Sequence, residues 1–175
     1  MSLNLTSKTI TLRFAQLNDA EYILSLRQNE KYNTHLSPVD SNIQKQKKWL
    51  IEYKKREEKL EEFYFIIQRN DGTKCGTVRV YDIINNSFCW GSWILDQNKT
   101  KTSAIESALL IYQFGFDIMK YSRCHFDVRK NNNLVISFHE KFNAKKINED
   151  ELNYYFEIYP NDIMAIKNKY SRFTN

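Results

Sequence analysis

The stretch Asp96–Phe116, DQNKTKTSAIESALLIYQFGF, places Lys99, Thr100, Lys101, Thr102 and Ser103 just ahead of an amphipathic run. A helix starting after such a loop offers backbone N–H groups with no partner in a preceding turn, together with the positive end of its dipole; that combination binds phosphate groups. The lysines and hydroxyls would add charge and side-chain donors. Glycine usually lets a phosphate come close to such a loop, and here there is none. The segment therefore reads either as an anion site or as an ordinary capped helix start. A second feature is His139, in SFHEKF, on a run that also holds Leu134, Ile136, Phe138 and Phe142. A lone histidine in such company is either packed core or a group that handles a proton, because imidazole titrates near neutrality. His35 and His125 read as structural. Cys75, Cys89 and Cys124 lie singly in apolar, strand-like runs and make neither a CxxC pair nor a disulfide framework. They read as buried free thiols in a reducing cytoplasm, with no metal cluster.

The chain that must position these groups has 175 residues, enough for one domain with a single sizeable core. Its 26 Lys+Arg against 21 Asp+Glu give a net charge of +5, spread along the chain. That is a weak pointer to an anionic ligand, without the basic stripe or recognition motif that nucleic acid would call for. No apolar run approaches the roughly 20 residues of a membrane span, and the N-terminus shows no apolar signal core.

Period-two alternation predicts a first strand over Lys8–Ala15, with Ile10, Leu12 and Phe14 on one face. A helix follows, capped by Asn18 or Asp19, with a stripe of Ala20, Ile23, Leu24 and Leu26. After Pro38, a second helix runs from about Asn42 to Lys59, its charged face solvated and Trp49, Leu50 and Tyr53 turned inward. Phe63–Arg69, Cys75–Ile83 and Phe88–Leu95 then form an antiparallel meander with turns at NDGTK and INNS. Next come the helix of the opening stretch, a strand over Arg123–Lys130, a helix over Asn133–Phe142, a short strand near Lys145–Ile147, a strand over Glu151–Tyr159, and a helix after Pro160. Gly91, inside a strand, predicts a bulge or a close backbone approach. With no linker and no repeat, residues 1–175 read as a single domain.

This order of elements and three of its segments resemble the GNAT superfamily of acyl-CoA-dependent N-acyltransferases, over about Thr9 to Tyr159. The resemblance implies an α/β (α+β) fold: a mixed, mostly antiparallel sheet of about seven strands flanked by helices and splayed between the fourth and fifth strands, Phe88–Leu95 and Arg123–Lys130. In the family a loop of the form Arg/Gln-x-x-Gly-x-Gly/Ala holds the coenzyme A pyrophosphate on its amides. Here Lys99 matches the basic position, Thr102 the missing glycine and Ala104 the small last residue, so Lys99, Lys101, Thr102, Ser103, Ala104 and Ile105 are the implied pyrophosphate site. HFDVRKNNNLVISFHEKFNAKKI is similar to the family's strand, loop and helix ending in a YEKLGF-like signature. Asn132 falls on the asparagine that contacts the pantetheine arm, and His139 on the position usually held by a catalytic tyrosine, where it would assist departure of the coenzyme A thiolate. On the splayed fourth strand, the main chain of Trp93, Ile94 and Leu95 would hold the pantetheine and polarise the thioester. The catalytic glutamate that many members carry there is absent.

The segment from Arg27 to Leu50 resembles a pattern in GNAT enzymes that acetylate amino sugars on nucleotide carriers for surface polysaccharides. Arg27 and Asn29 fit it, Gln46 stands where a histidine is frequent, and Trp49 follows on the helix. Arg27 would pair with a nucleotide diphosphate or, alternatively, rest in solvent or in a structural ion pair. The resemblance thus implies a cytoplasmic acetyl-CoA-dependent N-acetyltransferase, monomer or homodimer, with no metal, no nucleic acid and no membrane partner. Its acceptor would be a small-molecule amine such as a nucleotide-linked amino sugar; the alternatives are a protein or peptide N-terminus, or a non-catalytic acyl-CoA-binding module.

Overall fold

The computed structural model describes residues 3–174, with the side chains of residues 173 and 174 outside the description. Its centre is the strand β3, Phe63–Arg69, whose apolar run leaves no solvent face. Phe63, Phe65 and Ile67 point into the larger of two cores, and Tyr64 and Ile66 into the smaller. Two layers of helices must therefore cover the sheet. Chain order assigns β1 to Asn4–Thr6, β2 to Ile10–Phe14, β4 to Lys74–Ile84, β5 to Ser87–Leu95, β6 to Arg123–Arg129, β7 to Lys145–Glu149 and β8 to Asn153–Ile158. The spatial order is β1-β2-β3-β4-β5-β6-β8-β7. All neighbours are antiparallel except β5 and β6. The mixed, mostly antiparallel sheet flanked by helices matches the reading of the sequence, but it has eight strands, because the three-residue β1 is too short to show a period.

On one face, α1 (Ala20–Gln28) and α3 (Ile43–Glu58) bury Ala20, Ile23, Leu50 and Tyr53 against Tyr64 and Ile66. Ile23 and Leu50 each contribute about 1.5–3 kcal/mol by leaving water, and Ala20 less. Asn42 caps α3, its Oδ1 accepting from the amides of Gln44 and Lys45 at 2.8 and 3.2 Å. A one-turn helix, α2 (Glu30–Asn33), lies between them. On the opposite face, α4 (Ser103–Tyr112) is buried along most of its length and widens into a π-turn over Gln113–Ile118. There Gly115 lies against Phe88: a Cβ would stand 2.2 Å from that ring. α5 (Asn133–Lys141) and α6 (Pro160–Thr174) complete this layer, with Ile163 and Ile166 in the core. The hairpin between β4 and β5 turns on Asn85 and Asn86, at φ +50° and +58°, as a type I′ turn requires.

One capping expectation is corrected. Asp19 makes no cap hydrogen bond to α1. Its fully buried carboxylate instead accepts from Arg13 at 2.7 and 2.9 Å and from the Gln16 amide at 2.8 Å, and pairs with Lys74 at 2.7 Å. Burial alone would raise its pKa, but these donors outweigh burial and hold it at about 2.

Candidate active site

β5 and β6 pair through only two residues, Ser87 with Arg123 and Phe88 with Cys124. Beyond Phe88 they diverge, and one edge of β5 is left without a partner strand. The gap is a cleft of about 620 Å³, walled by Trp90–Leu95 of β5, Phe126–Arg129 of β6 and the first turns of α5, with Tyr32 and Leu36 at its mouth. This is the splay expected between the fourth and fifth predicted strands. Gly91 behaves as its type predicts. Thr77 pairs with Ile94 and Arg79 with Gly91, so Val78 faces two residues, Ser92 and Trp93, in a bulge. Ser92 takes φ +47° there. A Cβ on Gly91 would lie 2.7 Å from the Tyr81 hydroxyl, so glycine also permits that close approach. Trp93, Ile94 and Leu95 all line the cleft, and Trp93 is fixed by its Nε1–H donating to Ser107 Oγ at 3.2 Å.

The start of α4 explains the missing glycine. Thr102 has φ −106°, a backbone any residue adopts, so the loop conformation itself does not call for glycine. The Thr100 amide donates to Ser103 Oγ at 2.9 Å, and Thr102 Oγ1 donates to Glu106. Fully buried Glu106 also accepts from the Thr9 amide and hydroxyl at 2.8 and 2.6 Å, tying the loop to β2. Burial would raise its pKa, but donors from Thr102 and Thr9 lower it. Among the described residues, the amides of Lys101, Thr102, Ala104 and Ile105 donate to no group. Lys99 and Lys101 are exposed and form no ion pair with a described residue.

Asn132 is the N-cap of α5, its Oδ1 accepting from the Val135 amide at 3.4 Å while the residue lines the cleft. His139 is 5% exposed and also lines the cleft, with Phe126 at 4.2 Å, Trp90 at 5.3 Å and Phe138 at 5.7 Å between ring centroids. Its Nδ1 is buried without a partner. Burial pushes the imidazole down to about 3. The expectation that His139 titrates near neutrality is thereby corrected: enclosed by aromatic rings, it is neutral at pH 7 and can offer a hydrogen bond but no imidazolium.

The predicted acceptor residues separate. Asn29 is exposed and caps α2, its Oδ1 accepting from the Lys31 amide at 2.9 Å, and it lines neither the cleft nor the pocket beside it. Arg27 and Trp49 do meet, in a pocket of about 360 Å³ on the α1–α3 face, with Gln46, Tyr64 and Arg79. Arg27 donates to the Ser37 carbonyl at 2.7 Å and lies 3.5 Å from Ser92 Oγ at the bulge, which joins pocket to cleft. Its Nε is buried without a partner, and burial lowers its pKa. Arg79 was not singled out by the sequence. It is paired with Glu62 at 3.4 Å and sits 5.1–5.8 Å from the ring centroids of Trp49, Tyr53, Tyr64 and Tyr81. A lone charge between Val78 and Val80 in a central strand was its signal.

Comparison with known proteins agrees with this geometry. Residues 9–145 match the family model of the Acetyltransferase (GNAT) domain. The Bacillus subtilis (strain 168) protein named Probable N-acetyltransferase YjcK is 28% identical over 137 residues, 73% of this chain and 76% of that protein. The solved structure of apo FdhC, a nucleotide-linked sugar GNAT, superposes at a TM-score of 0.92 with 46% identity over 100% of both chains. A GCN5-related N-acetyltransferase from Brucella melitensis shares the fold at a TM-score of 0.79 with 15% identity, over 97% of this chain and 84% of that one. The splayed sheet, its bulge and the matched residues together place the chain in the GNAT acetyltransferase family, as an N-acetyltransferase.

Proposed function

We propose that the protein transfers an acetyl group from acetyl-CoA to the amino group of a sugar carried on a nucleoside diphosphate. The observation that carries this reading is the pair of guanidinium groups, Arg27 and Arg79, lining one pocket beside the bulge. Arg27 has no carboxylate partner among the described residues, and Arg79 shares Glu62 with Arg56. A diphosphate would satisfy both, and the aromatic wall of Trp49 and Tyr64 suits a base or sugar ring. The likeness to FdhC, a nucleotide-linked sugar GNAT, supports the same acceptor class. A peptide N-terminus brings a cation and no phosphate, and leaves these guanidinium groups unmatched.

The chain's residues also fit the donor. The unpartnered amides of Lys101, Thr102, Ala104 and Ile105, with Lys99 and Lys101 nearby, suit a pyrophosphate. The open edge of β5 at Trp93–Leu95 and the side chain of Asn132 suit a pantetheine arm. Acetyl-CoA supplies an acetyl thioester, and the departing thiolate needs a hydrogen bond, which neutral His139 would donate from its ring. The test is thiol release from acetyl-CoA in the presence of UDP-glucosamine, dTDP-linked amino sugars, free glucosamine and peptides of varied N-terminus. Turnover confined to the nucleotide-linked amines is the expected outcome; equal or faster turnover of peptides refutes the reading.

A further inference from the structure

An aliphatic amine at neutral pH is an ammonium ion, and it must lose a proton before its nitrogen lone pair can attack a thioester. β5 has no glutamate to accept that proton. One carboxylate lines the cleft: Asp127, on β6. Continuing the register of Ser87 with Arg123 and Phe88 with Cys124 along both strands brings Asp127 level with Gly91, at the bulge. Alternation along β6 sends Cys124, Phe126 and Val128 into the core on the α4–α5 side, where Phe126 meets His139. Asp127 takes the other face, the side of Arg79 and the Arg27 pocket.

We propose that Asp127 receives the ammonium group of the acceptor and takes its proton, a role that rests on the N-acetyltransfer reading above. The other carboxylates on this face are engaged: Asp82 with His125 at 3.0 Å, Glu157 with Arg123 at 2.8 Å, Glu62 with Arg56 and Arg79, and Asp40 with Lys45. Asp127 is exposed, and its carboxylate accepts no hydrogen bond from a described residue. In the step, one ammonium proton moves to the Asp127 carboxylate and the freed lone pair forms the N–C bond at the acetyl carbonyl. The C–S bond breaks, and a second nitrogen proton ends on the departing sulfur as a thiol. Asp127 then returns its proton to water. Acceptor and leaving group thus occupy opposite faces of the sheet, with Asp127 on one and His139 on the other.

Several titratable groups share the surroundings of Asp127. Tyr81 lines the cleft with it and the Cys89 thiol is buried nearby; burial, with smaller contributions from neighbouring groups, raises the Tyr81 phenol and pushes the Cys89 thiol up to about 12, so both stay protonated through the working range. Tyr155 is its cross-strand neighbour on β8, and His125 and Arg129 flank it on its own face of β6. Lys31, Tyr32 and His35 approach from α2 and the turn after it.

The test compares wild type with Asp127→Asn and Asp127→Glu, using acetyl-CoA and whichever amine of the panel above turns over fastest. Asp127→Asn is expected to lower kcat/KM for the amine roughly 10²-fold at pH 7. The deficit should shrink above the pKa of the amine itself, where solvent supplies the neutral form, and Asp127→Glu should recover part of the rate. By calorimetry, Asp127→Asn should bind acetyl-CoA as wild type does but lose the preference for UDP-glucosamine over UDP-glucose, with an unchanged melting temperature. A variant within twofold of wild type at every pH overturns the proposal. So does a deficit of the same size at every pH, or one accompanied by weaker acetyl-CoA binding or a lower melting temperature. Wild type that turns over no amine of the panel overturns the N-acetyltransfer reading and this proposal with it.

Discussion

Burial of His139 predicts a measurable acid sensitivity. Its folded pKa of about 3 lies below the 6.5 of an ordinary histidine, so the unfolded chain binds a proton first as pH falls. The stability associated with the neutral ring is complete above pH 6.5 and is lost as pH falls from 6.5 towards 3. At 1.36 kcal/mol per pKa unit, the loss between pH 7 and pH 5 amounts to about 2 kcal/mol, roughly a third of it between pH 7 and pH 6. Asp19, held at about 2, loses its own contribution only below its ordinary 3.8, outside this window. The perturbation is His139→Phe, which keeps a ring among Phe126, Trp90 and Phe138 but cannot titrate. Urea unfolding at pH 7, 6 and 5 should show a stability loss in wild type that exceeds the loss in the variant by these amounts. Equal losses in both proteins would refute the burial argument. The same variant tests chemistry: if His139 donates a hydrogen bond to the departing thiolate, single-turnover acetyl transfer should slow by about 10²-fold or more with acetyl-CoA affinity nearly unchanged. A stable variant with a wild-type rate would remove His139 from the mechanism.

Replacing both Lys99 and Lys101 by Ala should weaken acetyl-CoA binding about tenfold at low salt and much less at 0.5 M salt, as calorimetry across ionic strength would show; a salt-independent loss contradicts a charge role. Arg27→Gln should raise KM for a nucleotide-linked amino sugar by at least about tenfold and leave KM for acetyl-CoA unaltered; a change confined to acetyl-CoA would put Arg27 on the donor side instead.

The sheet was legible because its central strand is buried on both faces: FYFII of β3 is an unbroken apolar run, and the Asn-Asp-Gly and Asn-Asn turns fix the meander. β1 and α2 were not legible, at three and four residues, because neither is long enough for a period to appear. Asp19 looks like a helix cap in sequence, since it precedes an apolar stripe. Its real partners, Arg13 and Lys74, lie on β2 and β4 and could be assigned only from tertiary structure. Gly91 was readable as a bulge because strands rarely carry glycine without such a cause. The depressed pKa of His139 was not, because it comes from Phe126 and Trp90, residues brought together by the fold. Asp127 escaped notice for the same reason, gaining meaning only from the strand opposite, whereas Arg79 carried a signal as the lone charge between Val78 and Val80.

Under the proposed function, donor and acceptor approach the β5–β6 splay from opposite faces, with the acceptor's phosphates on Arg27 and Arg79. A crystal structure of the protein with coenzyme A and the nucleotide-linked amino sugar that turns over best decides whether this arrangement holds. It should show the coenzyme pyrophosphate on the amides of Lys101–Ile105 and the sugar nucleotide's diphosphate in contact with Arg27 and Arg79, with the amino group at the bulge beside Gly91. A sugar nucleotide whose phosphates lie away from both arginines, or whose amine lies outside the cleft, would contradict it.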